Sequence, residues 1–212
     1  CFSDATTVYF SGSSDSGSLT FSASLIPVKQ WFHLAWVITS GTSAVVYLNG
    51  VSVASGSINA VGSNTSYITV LGTIRSGGGG IYSYLNGFSS NFRIVKGSQV
   101  YTSAFTPPTA PLTPTPNTSL LLSATNSAIL DQSMMNDLET VGNAQISTSV
   151  VKYGTASMYF DGSGDGLVGT VSPLFDFGSG SFTVEFWAYC ISTSGQGFFA
   201  SVWGDAGESD SN

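Results

Sequence analysis

The chain is short of charge. Asp, Glu, Lys and Arg together make up 8% of its 212 residues, against roughly a quarter in ordinary soluble domains. Only five residues are basic, too few for a footprint on a phosphate backbone, so composition excludes a nucleic-acid partner. With one His and two Cys there is no His/Cys cluster for a zinc centre, and two cysteines make no disulfide framework. No apolar run approaches the ~20 residues of a membrane-spanning helix. The helix formers Glu, Lys, Arg and Gln are scarce as well, which excludes a helical bundle.

Ser, Thr and Gly fill the gap, with 37, 21 and 25 copies. Apolar residues still reach 42% and aromatic ones 13%, enough for a real core and too many for a disordered chain. Val, Ile, Thr, Phe, Tyr and Trp dominate the rest, the composition of an all-β sandwich or barrel. Charge is uneven. Residues 1–105 carry a net +2 and residues 106–212 a net −9, giving the overall −7. The acidic half reads either as a solvated surface or as a region that recruits Ca²⁺ or pairs with the more basic half. The chain opens on Cys1 rather than Met, and we read it as a window from a longer protein.

Strand signals are dense. Leu19, Phe21 and Ala23 alternate with Thr20 and Ser22, the period-2 pattern of a half-buried strand. Trp31 to Ile38 is apolar on both faces, like an inner strand. Ala44 to Leu48, Asn49-Gly50 and Val51 to Ala54 spell a hairpin, because Asn and Gly tolerate positive φ. Further strands are expected at 8–10, 68–71, 92–95, 120–122, 157–160, 182–190 and 198–203. Cys190 ends an apolar strand and reads as a small buried hydrophobe. Pro107, Pro108, Pro111, Pro114 and Pro116 break the pattern. Proline cannot donate to a ladder, so residues 106–118 are expected to form an extended linker reaching roughly 35 Å.

Four stretches carry a family resemblance: WFHLAWVITSGTSAVVYLNGVSVAS, GFSSNFRIVKGSQVYTSAFTPPTAPL, KYGTASMYFDGSGDGL and FDFGSGSFTVEFWAYC. They resemble the laminin-G-like branch of the concanavalin A-like jelly rolls. The Arg-Ile-Val-Lys-Gly…Phe-Thr-Pro-Pro-Thr wording is similar to tandem repeats in virion proteins of tailed phages, marine cyanophages especially. The fold implied is an all-β laminin-G-like jelly-roll β-sandwich in permuted or split order. The family's closing motifs come first, so residues 1–105 look like the back half of one repeat and 119–212 like the front half of the next. The halves either pair within the chain or complete their sandwiches with adjacent copies. We expect the adjacent copy, because proline-rich segments in repeat arrays hold domains apart.

Many jelly rolls are glycanases, which need two carboxylates facing each other across a cleft, about 5–9 Å apart. Only Glu139, Glu185 and Glu208 are glutamates, and no second acid lies two or four residues after Glu185. His33 sits inside an apolar strand, without a Gly-x-Ser-x-Gly elbow anywhere. We therefore expect no enzyme. Glycan binding needs exposed rings beside polar groups. If Trp36, Trp187 and Tyr189 meet on one face, they form a platform with Glu185 as acceptor; otherwise loops cover them as a second small core. Asp161 and Asp165 flank a Gly-rich turn. The resemblance implies a Ca²⁺ site there, since laminin-G-like domains often hold Ca²⁺ at a rim; the other reading is a turn whose Asp side chains bond their own backbone.

The function expected is a non-enzymatic structural and adhesive module of a virion, as a phage fibre, appendage or capsid-surface repeat with glycan binding. Its partners would be copies of itself or neighbouring repeats and a cell-surface glycan, with no nucleic acid and no membrane span. The alternative is a repeat of a bacterial or environmental extracellular filament or adhesin. Asn64-Thr65-Ser66 and Asn117-Thr118-Ser119 are glycosylation sequons, relevant only in a glycosylating host.

Overall fold

Asn49 and Gly50 turn as their chemistry dictates. Both take positive φ, 50° and 79°, and Ser43–Leu48 pairs antiparallel with Val51–Ser57 across them. Such hairpins build almost everything in the computed structural model, which describes residues 2–3, 6–10, 18–40, 42–58, 68–75, 81–169, 172–192 and 197–199. Among these residues the only helical pieces are two 3-10 turns, Ala23–Leu25 and Pro173–Phe175. No helix there is long and apolar enough to cross a membrane.

The main sheet is antiparallel throughout. Its order is Ile129–Asp131, Thr118–Ala124, Asn86–Lys96, Phe182–Cys190, Trp31–Thr39, Ser43–Leu48 and Val51–Ser57. Ser157–Asp161 also pairs with the first part of Asn86–Lys96, and Gln145–Ser147 pairs with Ser157–Asp161. Asn86–Lys96 changes partner along one edge, from Ser157–Asp161 at residues 86–89 to Thr118–Ala124 at 92–95. Between them Asn91 takes a positive φ of 54° and the register against Phe182–Cys190 slips. This is a bulge, which lets one long strand serve two partners. A four-stranded sheet runs Gly197–Phe198, Phe2–Ser3, Thr7–Phe10, Leu19–Ser22. Smaller sheets join Leu138–Val141, Gly166–Gly169 and Ile68–Leu71, and Thr73–Arg75 with Ile81–Tyr84.

The two larger sheets close over one core, a β-sandwich. Period-2 alternation sends Phe182, Val184, Phe186 and Ala188 inward, together with Phe32, Leu34, Trp36 and Ile38 of the neighbouring strand. Val8, Phe10, Leu19 and Phe21 meet them from the opposite sheet. Phe10 packs edge-on against Trp36 at 5.8 Å, and Phe92 stacks on Phe186 at 5.5 Å. Cys190 is buried in the same core, where loss of hydration pushes its thiol up to about 12. Burying Phe- and Leu-sized side chains contributes about 1.5–3 kcal/mol each, so this core dominates the stability.

The two halves of the sequence share these sheets. Phe182–Cys190 lies between Asn86–Lys96 and Trp31–Thr39, paired with both, and Phe2 pairs with Phe198. The pairing expected between adjacent copies is thus formed inside one chain. Residues 200–203 of the expected last strand, Cys1 and the Asn64 sequon lie outside the described residues.

Residues 106–117 form no strand, as their prolines require. They do not span open space as an extended linker would, because they lie against the outer face of the main sheet. Leu112 is buried, and its N–H donates to Asn91 Oδ1 at 2.8 Å. Pro108 and Thr113 carbonyls accept from Tyr153 Oη at 2.6 Å and Arg93 Nη1 at 2.9 Å. Together with residues 97–105 the segment is a strap laid across the sheet. Gly50 makes room for it: a Cβ there would fall 1.8 Å from the Phe105 carbonyl oxygen.

Candidate functional site

The outer face of the main sheet carries every group that the sequence singled out for sugar binding except one. Trp36 stands opposite Val184 in the ladder, so both point into the core, whereas Trp187 stands opposite His33 on the outer face. Trp36 therefore does not join Trp187 and Tyr189. The reason is phase: both faces of Trp31–Thr39 are apolar, so alternation alone does not say which one meets the core.

Along the outer face of Phe182–Cys190 come Thr183, Glu185, Trp187 and Tyr189, and the strap reaches the first two of them. Val100 N–H donates to Thr183 Oγ1 at 3.0 Å. Glu185 is wholly buried beneath the strap. Its Oε1 accepts from Arg93 Nε at 2.8 Å and from Arg93 Nη2; its Oε2 accepts from Tyr101 Oη at 2.6 Å and faces His33 Nε2 at 3.1 Å. A carboxylate offers only acceptors, so His33 Nε2 carries the hydrogen between them. Burial would raise the Glu185 carboxyl, but the His33 hydrogen bond, the Arg93 charge and the Tyr101 hydroxyl outweigh it and hold it below the usual carboxylate range. The same carboxylate, with burial the larger cause, pushes the Tyr101 phenol far up. Tyr101 stacks on Phe105 at 3.5 Å, and Phe105 meets Tyr47 and His33 edge-on. Glu185 is thus the anchor of the strap, with both oxygens engaged, and is not an acceptor open to a sugar.

Trp187 is buried too. Lys152 Nζ sits 3.7 Å from its ring centroid, a cation–π contact, and Tyr153 packs edge-on at 5.9 Å. Loss of hydration lowers the Lys152 ammonium.

Tyr189 lies past the strap and is half-buried. It belongs to a row that single-strand alternation does not reveal. Trp31 stands opposite Tyr189, Tyr189 opposite Phe88, and Phe88 opposite Tyr159, on four adjacent strands. Ring centroids are 5.7, 5.7 and 4.9 Å apart. Trp31 and Tyr159 are half-buried like Tyr189, while Phe88 lies lower between them. Gln145 stands opposite Tyr159 on a fifth strand and is exposed. With strands about 4.8 Å apart, the four rings span roughly 15 Å. Sequence reasoning found Tyr189 and missed Trp31, Phe88 and Tyr159. The nearest signal was Trp31, which shares the face of His33 by period 2.

Asp161 and Asp165 do meet around the Gly-rich turn. Asp165 Oδ1 and Oδ2 accept the N–H groups of Asn143 and Asp161, both at 2.8 Å. Asp161 Oδ1 accepts from Ser163 N–H at 2.7 Å, and its Oδ2 from Asn143 Nδ2 at 2.9 Å. Hydrogen bonds from Asn143 and the Ser163 amide lower the Asp161 carboxyl. Four oxygens each facing an N–H hydrogen make a self-bonded turn. Among the described residues no group of three or more His, Cys, Asp or Glu converges as a metal site. Asp131 is a second such turn: its carboxylate accepts from Leu121, Ser133 and Asn136 N–H groups.

A groove of about 640 Å³ beside the end of the strap is lined by Lys96, Asn117, Gln132, Ser133, Met135 and neighbouring residues. Among the described residues that line it there is no aromatic ring. Comparison of the chain with protein-family models, with curated proteins and with solved structures gives no match.

Proposed function

We propose that the chain is a non-enzymatic structural and adhesive module of a virion surface that holds glycan on the Trp31–Tyr189–Phe88–Tyr159 row. The row is the observation that carries the reading. Sugar rings offer apolar C–H faces to aromatic rings and hydroxyls to polar neighbours, and Gln145 supplies an amide at the end of the row. The non-enzymatic part is supported by where the reactive groups lie: the sole His and the buried Glu185 are spent on anchoring the strap. The virion part rests on the phage-like wording of residues 93–109, and with it comes the laminin-G-like jelly-roll reading of the sandwich. Stacking on one ring contributes about 1 kcal/mol, so a single site binds weakly and adhesion relies on many copies.

Two measurements test this. Tyr189→Ala and Trp31→Ala should each weaken capture on an array of polysaccharides several-fold, while Trp36→Phe leaves it unchanged. An antibody against the chain should decorate virus particles in the source sample under the electron microscope. Equal capture by all variants overturns the row. Decoration of cellular filaments in place of particles selects the extracellular adhesin.

A further inference from the structure

Lys152 stands beside the aromatic row, and its chain segment is tied down on both sides. Ser157 Oγ donates to the Val150 carbonyl at 2.6 Å, which fastens the chain just before Lys152 to the sheet. Tyr153 Oη donates to the Pro108 carbonyl at 2.6 Å, which fastens the chain just after it to the strap. Between these ties the half-buried Lys152 side chain lies over Trp187, with Nζ 3.7 Å from the ring centroid. Trp187 and Tyr189 share the outer face of one strand two residues apart, which is about 7 Å. The fold thus places an ammonium one step along the strand from the second ring of the row.

Among the described residues no carboxylate or carbonyl accepts from this ammonium; burial is the sole influence on its proton. The ring occupies one side of it, and N–H hydrogens on the other side remain free to donate. Other charges on the sheet are engaged. Arg93 is bound to Glu185, and Lys96 Nζ donates to the Pro173 carbonyl at 2.7 Å. Asp161, beyond Tyr159 at the far end of the row, accepts from Asn143 and Ser163. At the near end, the N–H of exposed Lys29 donates to the carbonyl of Cys190, the residue after Tyr189. The row therefore has an electrostatic direction, positive beside Trp31 and Tyr189 and negative beyond Tyr159. A lysine ordinarily loses about 1.5–2 kcal/mol of side-chain freedom on being fixed, and here the ring contact has already fixed it.

We infer that the glycan held on the row is an acidic polysaccharide and that Lys152 selects it, its ammonium hydrogens donating to a carboxylate or sulfate on the sugar that stacks against Tyr189. This rests on the reading of the row as a sugar surface and adds the charge of the ligand to it. The net charge of −7 repels acidic polymers at long range. In 0.1 M salt that repulsion is screened beyond about 10 Å, and the contact at Lys152 decides.

An array that pairs each neutral backbone with its carboxymethylated and sulfated forms, built on cellulose, dextran, galactan and xylan, tests this with the full 212-residue chain. On the backbone that is captured best, wild type should hold an acidic form about two- to fivefold more tightly than the neutral one, as an exposed ion pair does. The two acidic arms tell carboxylate from sulfate. The ratio of acidic to neutral capture should fall to one or below in Lys152→Gln and return in Lys152→Arg, which keeps both the charge and the ring contact. A measurement needing no variant is a salt series on wild type. The ratio should shrink as salt is raised toward 1 M, where screening acts within about 3 Å. A wild type that holds neutral forms at least as tightly as both acidic ones, a ratio indifferent to salt, or a preference retained by folded Lys152→Gln overturns the inference. Capture without acid preference defeats the role of Lys152 alone, whereas failure to capture any polymer defeats the row and this inference with it.

Discussion

Arg93 and Glu185 stand directly opposite each other in the ladder between Asn86–Lys96 and Phe182–Cys190, joined side chain to side chain beneath the proline-rich strap. A buried pair of this kind adds little net stability when intact, because the loss of hydration offsets the attraction. Removing one partner is different, since the other is left as an uncompensated charge.

Arg93→Met should therefore destabilise the chain by about 3–5 kcal/mol. Arg93→Met combined with Glu185→Met should recover most of that loss. Urea unfolding followed by tryptophan fluorescence checks both. A double variant no more stable than Arg93→Met alone would mean that the pair is not the seat of the effect.

Acid should loosen the fold through the same group. The Glu185 carboxyl is held below its unfolded value, so the folded state binds its proton less readily than the unfolded chain. The stability it lends is full above the unfolded glutamate value of about 4.3 and is lost as pH falls through the lower folded value. Asp131, with burial outweighed by hydrogen bonds from Asn136, Leu121 and Ser133, acts in the same direction. The stability gap between wild type and Glu185→Gln should be widest near neutrality and narrow below about pH 4. A gap constant with pH would contradict the assignment.

The strap should come away when its seat is filled or its tie is cut. Gly50→Ala places a methyl against the Phe105 carbonyl at a backbone angle that side chains avoid, and should cost more than about 1 kcal/mol. Tyr101→Phe removes the 2.6 Å hydrogen bond to Glu185, an interaction with a charged group that contributes about 1.5–3 kcal/mol. In both variants the Phe105 and Leu112 amides, which donate to Gly50 and Asn91, should exchange faster than in wild type. Limited proteolysis should cut within residues 106–117 first. Unchanged exchange at Leu112 would show that the strap is held by its apolar contacts alone.

What could be read in advance divides along a physical line. Alternation put Phe182, Val184, Phe186 and Ala188 on the core face because a strand's period belongs to that strand. The Asn49-Gly50 turn was equally local. The partner of each face was not local. Trp36 and Trp187 are separated by the sheet because Val184 pairs with Trp36, a fact of register between strands distant in sequence. Arg93, Tyr101 and Glu185 likewise form one cluster only once three segments are in place. The prolines announced a segment outside any ladder, correctly. They gave no hint that its remaining N–H and carbonyl groups would fasten it to the sheet. The Trp31–Tyr159 row needed four strands in one register, which no window along the chain contains.

The central seat of Phe182–Cys190 has a consequence for biosynthesis. A ribosome releases Trp31–Thr39 and Asn86–Lys96 long before the strand that must slip between them. Until residue 190 has emerged, the growing polypeptide holds two inner strands with bare flanks, and the apolar core face of Trp31–Thr39 lacks its neighbour. Such non-local closure is slow and leaves the nascent chain open to wrong pairings. Yield in a cell should thus depend on holding chaperones and on growth temperature more than on the stability of the finished protein, and truncations that stop before Phe182 should accumulate as aggregates.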